Sequence, residues 1–96
     1  MAKFQLGRLY TSRAVAATME EQSSFNAFVW QSVARYLRCD WGGISASDKR
    51  SNNKAVSRGD DFILAAYDNP NHPAWKIWII TETDRSHTTI LFPDEY

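Results

Sequence analysis

Residues 74–96 read AWKIWIITETDRSHTTILFPDEY, and the reading of this stretch decides the fold. Two runs of β-branched and aromatic residues, beginning at Trp75 and at His87, flank Thr83, Asp84, Arg85 and Ser86, a polar set suited to a turn. The pattern predicts a β-hairpin. Side chains alternate across a strand, so Trp75, Ile77, Ile79 and Thr81 share one face and Lys76, Trp78, Ile80 and Glu82 the other.

Working outward, residues 61–68 read DFILAAYD, a strand with Phe62, Leu64 and Ala66 on one face and Ile63, Ala65 and Tyr67 on the other. Both faces are apolar, which predicts a central strand. The loop 68–73, rich in Asn and Pro, joins it to the Trp75 strand as a second hairpin.

Helices fill the middle of the chain. Ser45 and Asp48 have capping-box spacing and Gly59 supplies a stop, giving a polar helix with Ala55, Val56 and Asn52 inward. Over 24–38, Phe25, Phe28, Val29, Val33, Tyr36 and Leu37 recur at the spacing of one wide helical stripe, and Trp30 falls at its margin. Ser23 and Ser24 offer an N-cap, and Gly42 and Gly43 a stop. A shorter helix over 13–22 is capped by Ser12 and turns Val15 and Met19 inward. Residues 4–11 read as a bent strand whose alternation slips at Gly7, the mark of a bulge or a close backbone approach.

The element order β-α-α-α-β-β-β predicts an α+β fold, a small antiparallel sheet of about four strands with helices on one face. The first strand joins an edge of the meander. One helical layer covers one sheet face only, so an apolar remnant is expected on the other, including Trp78 and Tyr67.

At 96 residues the chain has room for one domain, 1–96, and no linker or repeat divides it. No apolar run is long enough to span a membrane and no leader pattern opens the chain, so a cytoplasmic protein is expected. A single cysteine, Cys39, agrees with a reducing compartment. The net charge of zero hides an asymmetry: residues 1–58 carry nine Lys/Arg against four Asp/Glu, and residues 59–96 two against seven. Such a balance argues against non-specific nucleic-acid binding, which draws on a basic excess.

Chemistry-bearing clusters are sparse. Glu82, Asp84 and His87 gather at the final turn and, with Asp68, are the nearest approach to a hydrolytic or metal site. The plainer reading is a solvated turn in which Asp84 bonds its own backbone. Cys39, His72 and His87 lack the paired spacing of a zinc site, and neither histidine sits in a nucleophile motif. An enzyme is not expected, and neither is a metal or cofactor. Arg50, Lys54 and Arg58 stand one turn apart on the polar helix, a basic stripe that Arg35 and Arg38 would extend; it suits phosphate or an acidic protein face, or is simply solvated. Trp41 and Trp75 read as core, and one of Trp30 and Trp78 as a partner anchor. The candidate partner-binding residues are therefore Trp30, Trp78, Tyr67, Arg50, Lys54, Arg58, Glu82 and Asp84.

The run Asp40-Trp41-Gly42, then Asp48 and Asn52, then the ending KIWIITETDRSHTTILFPDEY, resembles a family of short bacterial proteins carried on plasmids, prophages and other mobile elements. The likeness extends over nearly the whole chain, including the Phe4, Leu6, Gly7 opening; relatives tend to carry an acid after the Asp-Trp-Gly turn, where this chain has Gly43, Ile44 and Ser45. The resemblance implies a non-enzymatic accessory protein of mobile DNA that binds a host protein complex, as an inhibitor of a bacterial defence system such as CRISPR or restriction. The alternative is a nucleic-acid-binding accessory factor using the Arg50, Lys54, Arg58 stripe. The resemblance brings no catalytic residues with it.

Overall fold

The hairpin anticipated near the end of the chain forms, and the rest is arranged about it. In the computed structural model, which describes residues 3–96, the elements are β1 (Arg8–Thr11), α1 (Arg13–Glu21), α2 (Ser23–Leu37), α3 (Ala46–Arg58), β2 (Ile63–Tyr67), β3 (Ile77–Thr81) and β4 (His87–Leu91). The sheet order is β1-β4-β3-β2. Ile79 pairs with Ile90 across β3 and β4, and Ala65 with Ile79 across β2 and β3, both antiparallel.

The architecture is α+β with the expected order of elements, but the sheet is mixed. β1 runs parallel to β4, with Leu9 opposite Thr88. A strand separated from its neighbour by three helices is not held antiparallel by a short turn. Its direction is set where it enters, beside the β3–β4 turn, where the Arg8 N–H donates to Ser86 O at 3.1 Å. Gly7 makes that entry possible: its φ is +66°, and a Cβ would collide with the carbonyl oxygens of Arg85 and Ser86. The strand is shorter than 4–11, and Phe4 and Leu6 instead tuck against the core.

Ser12 caps α1, its Oγ accepting from Val15 N, and Val15 is fully buried. α2 starts without a side-chain cap; Gln22 is its N-cap, and Ser23 and Ser24 lie inside the helix instead of capping it. Its stripe of Phe25, Val29, Val33 and Tyr36 is buried, with Phe28 and Leu37 partly so. Cys39, not a glycine, takes the left-handed turn after α2, at φ +63°. Ser45 and Gly59 bound α3 as expected.

The core lies between α1 and α2 and one sheet face, where Ile63, Ala65, Tyr67, Ile77, Ile79 and Ile90 meet the α2 stripe. Trp41 is a core residue at 3 % exposure, while Trp75 is half-buried, edge-on to Phe25 in a short turn outside β3. A chain of hydroxyls crosses this core. Tyr36 Oη lies 2.6 Å from Thr81 Oγ1, Thr81 Oγ1 lies 2.8 Å from Thr88 Oγ1, and Thr88 donates to Leu6 O at 2.8 Å. Each hydroxyl has one proton, so the last bond orients the others: Tyr36 donates to Thr81, which donates to Thr88. The network ties α2, β3, β4 and the segment before β1 together.

β2 is an edge strand, not the central one its two apolar faces suggested. Its outward backbone groups are occupied from outside the sheet. The Asn52 side chain donates to Leu64 O at 2.7 Å and accepts from Leu64 N at 3.4 Å. Gly43 N donates to Ala66 O at 2.8 Å, and Ala66 N reaches Trp41 O at 3.4 Å. Gly42, at φ +72°, lets the loop come this close, since a Cβ there would strike Ala66 O. α3 therefore flanks the edge of β2 and protects it from further strand pairing.

Candidate protein-docking surface

With α1 and α2 on one side, the alternate side chains of the same strands form an open face. The pairing lays them out in rows. Tyr10 is opposite Thr89, Thr89 opposite Ile80 and Ile80 opposite Leu64; in the next row Leu91 is opposite Trp78 and Trp78 opposite Ala66. Both rows are almost entirely apolar. Phe62, just before β2, and Tyr96 are the exposed rings beside them, at 50 % and 77 % exposure. Between these two rings, with Ile80 and Leu91 as floor and Glu82 at one end, lies a shallow trough of about 390 Å³. Tyr96 is held by its neighbours: its ring meets Trp78 edge-on at 5.5 Å, and Glu95 before it accepts from both Ser12 Oγ (2.8 Å) and Phe92 N (2.7 Å).

A second hollow, of about 370 Å³, continues past Phe62 and is lined by Asp48, Asp61 and Leu64 among others. Asp48, Asp61 and Glu82 are exposed, and none of them forms an ion pair among the described residues. Arg85, which reaches this region, is already engaged: its guanidinium donates to the carbonyls of Asp61, Glu82, Thr83 and Ala55, closing the end of α3 against the β3–β4 turn.

The expected site residues scatter over this framework. Trp78 is on the open face. Tyr67 is not: it is fully buried on the helix side, and its hydroxyl donates to Asp40 O at 2.7 Å. Its position in β2 is one residue out of phase with Leu64 and Ala66, which do face the opening. Trp30 is 52 % exposed on the helical layer. Arg50, Lys54 and Arg58 are exposed along α3, but Arg35 does not extend their stripe, because it pairs with Asp40 through two bonds of 2.7 and 3.1 Å and lies over the Tyr67 ring. That pair holds the Asp40 carboxyl below the usual range, through the Arg35 hydrogen bond first.

Glu82 and Asp84 remain at the turn, where Asp84 Oδ1 accepts from Ser86 N at 2.9 Å; hydrogen bonding to Ser86, from its side chain first and then from this N–H, lowers the Asp84 pKa. This is the self-bonded turn of the plainer reading. Asp68 lies at the other end of the strands, since it follows Tyr67, which pairs with Ile77, whereas Glu82 follows Thr81, which pairs with Ile63. It meets Lys76 at 3.7 Å instead. Among the described residues no three His, Cys, Asp or Glu converge as metal ligands, and no helix is long and apolar enough to cross a membrane.

Phe62, Leu91, Thr89 and Tyr96 were not singled out from the sequence. Alternation did group Phe62 with Leu64, but Tyr96 reaches the face only through the Pro93–Glu95 turn, which no periodicity signals. Comparison with protein-family models, with curated proteins and with solved structures returned no match.

Proposed function

We propose that this is a non-enzymatic binding protein that docks through its open sheet face on a host protein complex, and that it serves a mobile element as an inhibitor of a bacterial defence system, CRISPR or restriction. The observation that carries the docking reading is the apolar face without a helix over it, on which Phe62 and Tyr96 are exposed beside a trough. Apolar surface gathered in one concave place gains most when a partner removes it from water. The choice of a defence complex comes from the resemblance to short proteins of mobile elements.

The test is affinity capture of the tagged protein from its bacterial host. A stoichiometric host protein should be recovered with the unaltered chain, be lost with the double variant Phe62→Asp, Ile80→Asp, and be retained with Arg50→Glu, Lys54→Glu. If only the second variant loses the partner, the open face is not the docking site.

A second reading is favoured by the exposure of Arg50, Lys54 and Arg58 without ion pairs among the described residues. On that reading α3 meets nucleic acid. Gel-shift titration should then show binding that weakens steeply with salt and vanishes in Arg50→Glu, Lys54→Glu.

A further inference from the structure

If the open face docks a protein, as proposed, three of its features narrow the chemistry of that partner, and the inference rests on that docking reading. Backbone groups within a sheet are spent on the ladder, so whatever lies on the face must satisfy its own backbone. An extended peptide cannot do so there; it needs an edge, and the β2 edge beside the trough is closed by Asn52, Gly43 and Trp41. A helix can. Shape agrees, since the exposed rings of Phe62 and Tyr96 project beside the floor, and a cylinder fits against such relief where a flat sheet would ride on it.

Charge then selects among helices. Glu82 closes one end of the trough, and Asp48 and Asp61 line the hollow that continues beyond Phe62. Carboxylates beside a surface that loses its water need a cation in return. Arg85 is committed to backbone carbonyls and none of the three carboxylates has an ion-pair partner among the described residues, so the partner must bring it. We propose that the open face receives an amphipathic helix of a partner protein, its apolar stripe on the exposed rings of Phe62 and Tyr96 over the Ile80–Leu91 floor and its flanking Lys or Arg residues against Glu82, Asp61 and Asp48. A second copy of this chain does not meet the description. Its basic helix, α3, turns Ala55 and Val56 inward and offers a polar outer face. Nucleic acid would meet like charge at Glu82, Asp61 and Asp48.

The experiment is an NMR titration of the full-length, isotopically labelled protein with three synthetic peptides of about 15 residues, long enough to be helical when bound. One carries Leu at helical spacing flanked by Lys, one has the same Leu flanked by Glu, and one has Lys with Ala in place of Leu. The Leu/Lys peptide should shift the amides of Phe62, Ile80, Glu82 and Leu91 and bind about tenfold more tightly than Leu/Glu. The Ala/Lys peptide should leave them unmoved. In Asp48→Asn, Asp61→Asn, Glu82→Gln, whose spectrum reports retention of the fold, the preference for Leu/Lys should collapse. Equal binding of the Leu/Lys and Leu/Glu peptides overturns the basic partner and leaves the docking reading in place. Binding of Ala/Lys as strong as that of Leu/Lys overturns the apolar stripe. Absence of shifts with every peptide overturns the helix, and a host protein still captured through Phe62 and Ile80 then keeps the docking reading. Oligomers that dissociate on Phe62→Asp would assign the face to a second copy and overturn the proposal.

Discussion

The two faces of the sheet are built from neighbouring residues of the same strands, yet they answer to different forces. On the helix side Ile63, Ala65, Tyr67, Ile77 and Ile79 are wholly excluded from water by α1 and α2. On the other side Ile80 and Leu91, at 8 % exposure each, are screened only by surrounding side chains, and the exposed area falls on Phe62, Tyr96 and Tyr10. Both faces are apolar, but a single helical layer covers one of them. Burial on the first face stabilises the fold; the apolar area left on the second is available for association. Substitutions one residue apart should therefore act on different properties.

The largest effect is expected at Ile79. Ile79→Ala removes a fully buried side chain from the middle of the covered face and should cost about 2–5 kcal/mol, read as a lowered midpoint in urea unfolding. Ile80→Ala, its neighbour on the open face and itself mostly screened, should cost somewhat less; a loss larger than at Ile79 would erase the distinction between the faces. Next comes the hydroxyl chain. Thr88→Val strands the Leu6 carbonyl and leaves the Thr81 proton without its acceptor, for about 1–3 kcal/mol. Tyr36→Phe removes only the terminal donor and should cost less, about 0.5–1.5 kcal/mol. A reversed order would mean that the chain runs the other way.

How much of the fold and of the open face was legible in the residues depended on the range of the interaction involved. The hairpin, the α2 stripe and the Ser12 and Ser45 caps are local patterns, written in residues a few positions apart, and they appear much as expected. The place of β2 in the sheet is not local. Its two apolar faces suit a central strand, and what makes it an edge is Asn52, a polar residue of α3 whose amide stands in for a missing strand. The direction of β1 depends likewise on Gly7 meeting a turn near the other end of the chain. On the open face Trp78 followed from alternation, whereas Tyr67 was placed there wrongly by one step of phase, and Tyr96 arrives by a turn without periodicity.

Asn52→Ala tests the edge against the faces. It leaves Leu64 N–H and C=O without protein partners, and because water can reach part of this edge the cost should be about 1 kcal/mol. The sharper readout is association: a freed edge pairs with other strands, so sedimentation should show oligomers absent from the unaltered protein. If the variant stays as it was, the loop carrying Trp41 and Gly43 guards the edge by itself.

Smaller again is the acid response of the helical side. Asp40 has a lowered pKa beside Arg35, so its contribution is fully present above the ordinary carboxylate value near 4 and is lost as pH falls through the lower folded value. The pair is substantially exposed, which limits it to about 0.2–1 kcal/mol. Arg35→Gln should flatten the fall in stability below about pH 4 without abolishing it, because Asp84, lowered by Ser86, titrates in the same window. An unchanged acid limb would assign the whole effect to other carboxylates.

A similarly small change in stability should come from Phe62→Ala, which sharpens the comparison most. Half of this ring is in water, and it is outside the strand ladder, so its removal should shift unfolding by about 0.5–1 kcal/mol. Partner capture should nonetheless fall severalfold, since the ring forms one wall of the trough and links it to the hollow lined by Asp48 and Asp61. Ile79→Ala predicts the converse: large loss of stability, and undiminished affinity in whatever fraction remains folded. A Phe62 variant that unfolds as readily as Ile79→Ala would make that ring part of the core. One that keeps both stability and the partner would leave the open face without a role in docking, and attention would pass to the Arg50, Lys54, Arg58 stripe.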